Sequence, residues 1–452
     1  MTRTHLPHHP VRLLALTTII APVCFGAFAQ STTAVPNAND AVNVAATTAP
    51  LAAPTNDAES AHPSLLDNTM SANGDLLEDA LPHSGHLRLP TMMDPWFAWK
   101  RAFQQDTGLS IGGSYQLLGQ SYSSSLINQN KAVGSKLTIN FSYALLNAGR
   151  PDALAFDMAV EDRRPFGNDL APLHAGLSTG SMVPTAATYG QFDLGISQAY
   201  IRQNLFDNQF QYTVGKIFAP NFIDAYPFFD DNRQFLSQAF STSPTIASPL
   251  RGFGAVAAWY PTEQGVYIKP GIFTTHSDDT GSTVGDFFNK NEHFYMLEAG
   301  WSGQAKSGVP IQARGPMDSD NIHLTGWYRD PQEDGTARSY GAAFNANFMA
   351  GDNLMWFTRA GWSTGWAIDR AVSVGIGWRP TEHYSDLFGL ATGWIRPTNE
   401  ALRTQTVTEL FYRYMVTPNL AITPDLQYIQ RPPLAPGRSE LWVLSLRARI
   451  TF

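Results

Sequence analysis

The chain closes on Leu441-Trp442-Val443-Leu444-Ser445-Leu446-Arg447-Ala448-Arg449-Ile450-Thr451-Phe452, and the alternation in this stretch decides how the rest is read. Trp442, Leu444, Leu446, Ala448, Ile450 and Phe452 share one parity; Ser445, Arg447, Arg449 and Thr451 share the other. A period of two is that of a β-strand, whose successive side chains point to opposite faces. These two faces ask for different solvents. The last residue belongs to the apolar face, whereas the termini of soluble domains are usually polar and frayed. A barrel strand in a membrane satisfies both demands, with lipid outside, a lumen inside and aromatic girdles at the interfaces. Phe452 then sits in a girdle, and Arg447 and Arg449 point into the lumen.

Working outward, this ending also resembles the closing strand of bacterial outer-membrane barrels, which typically finish in Phe. The other end agrees. Met1–Ala29 carries Arg3 and Arg12, an apolar run from Leu13 to Phe28, and Ala27-Phe28-Ala29 before Gln30. That pattern is a secretory signal peptide over 1–29, and its apolar run is too short for a transmembrane anchor. Cys24, the only cysteine, lies within it, so the mature chain has no disulfide and no cysteine metal site. Nothing calls for a cofactor. Arg3 and Arg12 are two of 30 Lys and Arg, against 38 Asp and Glu, leaving the mature chain net acidic by about ten. Nucleic acid is a poor partner for such a chain.

Residues 30–89 are rich in Ala, Thr, Pro, Asn and Ser, with scattered acids and no Lys or Arg before Arg88. They lack apolar periodicity, and this composition reads as a disordered periplasmic arm. Asp94–Phe103 reads as one or two amphipathic helical turns capping the barrel's periplasmic end. From Leu109 onward, within a barrel domain assigned to 90–452, alternating stretches recur at the length a tilted membrane strand needs. Leu137, Ile139, Phe141, Tyr143 and Leu145 oppose Thr138, Asn140 and Ser142; Val266, Ile268 and Ile272 oppose Tyr267 and Lys269. Leu410, Tyr412 and Tyr414 oppose Gln405, Glu409 and Arg413. The expected fold is all-β, an antiparallel transmembrane barrel of about sixteen strands. Connections after even strands are then short periplasmic turns, and the long ones (163–190, 218–249, 276–291) lie outside. Gly303–Ser319 is the exception, long where a short turn is expected.

Two stretches resemble a known family. Gly215–Thr275, with GKIFAPNFIDAYPFFDDNRQF and a Pro-rich return, and Glu409–Phe452, with ELFYRYMVTPNLAITPDLQ and a final Arg-x-Arg strand, are similar to carbohydrate-selective porins of the OprB type. Asp94–Tyr115 looks like that family's lead-in to its first strand. The resemblance covers about residues 90–452. It implies passive, selective diffusion of sugars, monosaccharides such as glucose foremost, across the outer membrane of a Gram-negative cell.

A sugar pore needs hydrogen-bonding groups and aromatic faces turned inward, without one dominant sign of charge. Parity nominates Asp157, Glu161, Lys269, Arg359, Glu409, Arg413, Arg447 and Arg449, with Glu409 as a neighbour for the two terminal arginines. The bland alternative is that such charges satisfy one another across the lumen. In the loop 218–249, Asp230, Asp231, Asn232 and Arg233 are candidates for an inward-folded constriction. Glu161-Asp162-Arg163-Arg164 reads more weakly, as a solvated rim cluster. Lys216 and Arg251 fall on outward parity, so either the strands end before them or a bulge turns them in.

The partners expected are outer-membrane lipid, small sugars as permeating solutes and the barrel-assembly machinery through the last strand; monomer and homotrimer stay open as alternatives. An outer-membrane barrel enzyme is the rival of a different class. It is disfavoured because no Gly-x-Ser-x-Gly is present and the histidines fall mostly in the arm or in connections. A general diffusion pore, or one for organic acids or aromatic compounds, is the milder alternative.

Overall fold

The structure, a computed structural model, describes residues 62–81, 83–87, 93–148, 150, 152–167, 170–303, 319–380 and 384–452. The signal-peptide reading of 1–29 and the arm as far as 61 lie outside the described residues.

Sixteen strands form one closed antiparallel barrel in chain order. They are β1 Leu109–Tyr122, β2 Lys131–Leu146, β3 Leu154–Pro165, β4 Phe192–Leu205, β5 Phe210–Phe218, β6 Arg251–Trp259, β7 Val266–Thr274 and β8 His293–Ser302. The second half is β9 Asn321–Arg329, β10 Ser339–Ala350, β11 Leu354–Thr364, β12 Ile368–Trp378, β13 Leu387–Pro397, β14 Gln405–Thr417, β15 Leu420–Gln430 and β16 Glu440–Thr451. The expected strands are all present, displaced by a few residues at their ends.

β16 closes the ring on β1, in register from Ser114 opposite Thr451 to Tyr122 opposite Val443. Closure leaves no row of unpaired backbone groups facing lipid, where each would cost several kcal/mol. The two faces of β16 separate as the alternation demands. Leu444 and Leu446 are 62 % and 56 % exposed, and the alternating Ser445 and Arg447 3 % and 1 %. Among the described residues, no helix is long and apolar enough to cross a membrane.

Connections after even strands include the tight turn Phe206-Asp207-Asn208, three successive left-handed residues at φ 54°, 52° and 64°. The β10–β11 turn uses Gly351 at φ 81°, a conformation that a residue without Cβ adopts cheaply. The long 303–320 connection after β8 is real, and its residues 304–318 lie outside the described set.

Two expectations are corrected. Residues 94–107 form a full fourteen-residue helix, α2 (Asp94–Thr107), stopped by Gly108 at φ 74°. Part of the stretch read as a disordered arm is ordered: a nine-residue helix, α1 (Ala72–Ala80), lies within it, begun by Ser71, whose side chain accepts from the Gly74 amide. Composition misled because the few apolar residues that dock, Leu66 and Ala72 among them, recur with no period, and polar contacts to the inside of the barrel wall supply much of the hold.

Candidate functional site

All eight strand residues nominated by parity turn inward. Asp157, Glu161, Lys269, Arg359, Glu409, Arg447 and Arg449 are buried, and Arg413 is partly buried. Some of these charges do neutralise a neighbour on the adjacent strand. Arg202 of β4 meets Asp157 at 2.5 Å, and Lys269 of β7 meets Glu298 of β8 at 2.8 Å. Parity also splits the Glu161–Arg164 cluster into two pairs. Glu161 binds Arg163 inside, while Asp162 binds Arg164 at 2.8 Å on the exposed face.

Three other inward charges, Glu409, Arg447 and Arg359, reach past the wall to the β5–β6 loop, whose residues 228–237 are buried throughout, while Arg413 donates to the Ser385 carbonyl. Glu409 accepts the backbone amides of Leu236 and Ser237, at 2.5 and 3.1 Å. Arg447 donates to the carbonyls of Asp231 and Gln234. Arg359 binds the Asp224 carboxylate at 2.5 Å and the Phe240 carbonyl at 2.8 Å, with its guanidinium over the Tyr226 ring. The bonds donated by the two arginines are charge-assisted, worth roughly 1.5–3 kcal/mol each. The expected neighbourhood of Glu409 with Arg447 and Arg449 is therefore not found: the loop intervenes, and these groups bind it or α1 instead.

The loop's polar row is fully engaged. Asp231 accepts both the amide and the hydroxyl of Thr188, each at 2.7 Å. The Asn232 carbonyl oxygen accepts from Lys136 of β2 at 2.8 Å and Gln116 of β1 at 3.2 Å. Arg233 pairs with Asp230 at 2.7 Å and with Asp75 and Asp79 of α1. Burial pushes the Asp231 carboxyl up from its ordinary range, against the pull of Lys136. Burial pushes Asp230 the same way, but the Arg233 guanidinium outweighs it and holds this carboxyl low.

Residues that parity could have added are Lys136, Gln116 and His323, which share the inward alternation of their strands. His323 of β9 sits 2.9 Å from Asp224, an exception to the placing of histidines in connections. Asp75, Asp79 and Asp224 lie outside the strands, where no period exists to expose them.

The lumen is not polar throughout. Phe228, Phe235 and Phe240 of the loop pack against Phe357 of β11 and Phe411 of β14, both inward. Phe235 meets Phe411 edge-on, with ring centroids 4.9 Å apart and planes at 88°. This favours a fixed loop, since each fully buried Phe is worth about 1.5–3 kcal/mol.

Arg251 and Lys216 resolve without a bulge. Both sit at the outer rim, paired strand to strand beside Phe218 and Phe253. Arg251 turns back to Asp279 at 2.9 Å and stacks on Phe218 and Phe192. Lys216 stays on outward parity and donates to the carbonyls of Ile196, Asp279 and Gly281.

Between α1, the β5–β6 loop and the wall a cavity remains, lined by Asp75, Asn140, Gln116, Lys136, Gln198 and Asn232 among others, with a volume of about 20 Å³. That is room for one or two waters. Among the described residues, no group of three or more His, Cys, Asp or Glu is placed to hold a metal ion.

A family model described as "Carbohydrate-selective porin, OprB family" matches residues 128–452. OprB of Pseudomonas putida in its high-pH structure superimposes with a TM-score of 0.63 at 15 % identity, covering 82 % of this chain and 99 % of that one. Its low-pH structure gives 0.50, also at 15 % identity, covering 80 % and 98 %. These likenesses carry the fold. Among curated proteins, porin AaxA of Chlamydia pneumoniae is 25 % identical over 241 residues, which is 49 % of this chain and 51 % of that protein. The chain thus spans about half the length of that relative.

Proposed function

The chain belongs to the OprB family of carbohydrate-selective porins, a family and fold of outer-membrane channels, and from that premise we propose that it passes monosaccharides such as glucose by passive diffusion, through a lumen that the β5–β6 loop narrows. The carrying observation is the anchoring of that loop: Glu409, Arg447 and Arg359 hold its backbone from three strands, presenting Asp231 and Asn232 beside Lys136 and Gln116. Donors and acceptors of both signs lie within a few ångströms. They match a neutral polyol, which offers hydroxyls as both donor and acceptor, better than an ion of either sign.

Liposome swelling tests this reading, comparing glucose, disaccharides and charged solutes of similar size. Glucose is expected to enter fastest, and equal rates for all small solutes would remove the claim of sugar selectivity. The paired substitution Asp231→Ala with Asn232→Ala addresses the loop alone, because neither residue touches α1. It is expected to lower the preference for glucose over a charged solute; an unchanged preference would take these residues out of the selectivity argument.

A further inference from the structure

Residues 62–81 and 83–87 lie inside the barrel rather than hanging from it. Leu65 donates its amide to Gln211 of β5 at 2.8 Å, and Ala72 donates its amide to the Tyr200 hydroxyl of β4 at 3.1 Å. Further on, His86 and Leu87 donate backbone amides to the carbonyls of Met415 and Val416 in β14, at 2.9 and 2.8 Å. β5 and β14 stand seven places apart in a ring of sixteen, nearly opposite. Between these anchors α1 projects its acids into the pore. Asp75 accepts from Asn140 of β2 at 2.6 Å, and Asp79 binds Arg449 of β16 at 2.8 Å. Both acids also bind Arg233, so that α1 ties the wall to the β5–β6 loop. The space left beside it, about 20 Å³, admits water and excludes a pyranose ring.

We propose that residues 62–87 are a resident plug of the pore, closed by the ion pairs of Asp75 and Asp79 with Arg233 and Arg449, and withdrawn to let solute through. The chemistry favours a reversible plug over a permanent core. Polar pairs make up the grip of α1, while Leu66 and the half-buried Leu65 and Met70 add apolar contact at the start of the segment; each polar group released on withdrawal meets water in the lumen instead of a dry interior, so the desolvation that makes most buried pairs hard to break is refunded. α1 itself buries Ala72 and no large apolar side chain. The loop beside it is held differently, by Phe228, Phe235 and Phe240, and stays when the plug leaves. Porins open at rest need no such segment. Here α1 stands in the lumen beside the loop that narrows it, so the inference rests on the channel reading while adding a closed state to it.

The test uses the full chain in planar bilayers, read as ion conductance and as glucose swelling in matched liposomes. Asp75→Asn with Asp79→Asn removes the ion pairs and is expected to raise open time and conductance severalfold. A second variant, Asp75→Cys with Asn140→Cys, is bridged by a short bis-methanethiosulfonate reagent. Bridging is expected to hold conductance near zero, and reductant to restore it. Proteolysis at residues 62–87 reports withdrawal independently of flux. Conductance unchanged in the Asn pair while proteolysis there increases would overturn the proposal. So would bridged channels that conduct as well as reduced ones. Failure of the sugar reading looks different: conductance would respond to the plug, while swelling would not distinguish glucose from charged solutes.

Discussion

Along β16, Leu444 and Leu446 face lipid while the alternating Ser445 and Arg447 face the lumen. Along the β5–β6 loop, Phe228, Asp230, Asp231, Arg233, Phe235 and Phe240 are all buried, whatever their parity. The first pattern is imposed by two solvents acting on a structure of period two. The second comes from a segment enclosed on every side, whose order depends on particular partners: Glu409, Arg447, Phe411 and Phe357. A wall formed by a repeating constraint and a filling held by a few contacts should respond differently to substitution. Damage to the wall is global. Damage to the filling is local and appears as permeability.

The largest effect is expected inside. Phe235→Ala removes a ring packed against Phe228, Phe240, Phe357 and Phe411 and should cost the loop about 3–5 kcal/mol of docking stability. Hydrogen exchange should speed at 222–241 while the strand amides keep their protection; simultaneous loss in the strands would merge the two regions into one. Leu446→Arg comes next, at about 2–4 kcal/mol for a lipid-facing charge near mid-membrane, measured as urea unfolding in phospholipid vesicles. Here the whole barrel should weaken, and a cost no larger than that of Ser445→Ala would deny the assigned faces.

Glu409→Gln keeps the shape but turns one of the two acceptor oxygens into an NH2 donor facing a backbone amide, a loss of about 1–2 kcal/mol confined to the loop. Its expected sign is increased conductance with unchanged urea midpoint, and a shifted midpoint with unaltered conductance would contradict the separation. The smallest change is Asp369→Asn. Its partner Arg396 is 42 % exposed, and an exposed pair is worth about 0–1 kcal/mol. Neither stability nor flux should move beyond that.

The same contrast accounts for what the sequence discloses. Sixteen strands, their faces and the inward placing of Asp157, Lys269 and Arg449 follow from alternation, which needs no knowledge of partners. Even the rim cluster yields to it, since Glu161 and Arg163 share one parity and Asp162 and Arg164 the other. The partners of Arg449 do not follow. They are Asp75 and Asp79, about 370 residues earlier in a stretch whose composition resembles a linker. Charge was the one available signal there, since these acids fall in a stretch from residue 30 that has no Lys or Arg before Arg88. The aromatic patch in the lumen was legible in part, because Phe357 and Phe411 share parity with Arg359 and Glu409. What they pack against lies on a loop with no period to read.

The central claim, a channel that recognises sugar within its lumen, is tested most directly by single-channel ion current recorded against increasing glucose. A sugar that binds as it passes must block ions while it is there. The account predicts a saturable fall in current with glucose, weakened by Asp231→Ala with Asn232→Ala. Current that falls only in proportion to the bulk conductivity of the glucose solution, without saturation and alike in wild type and variant, would contradict it.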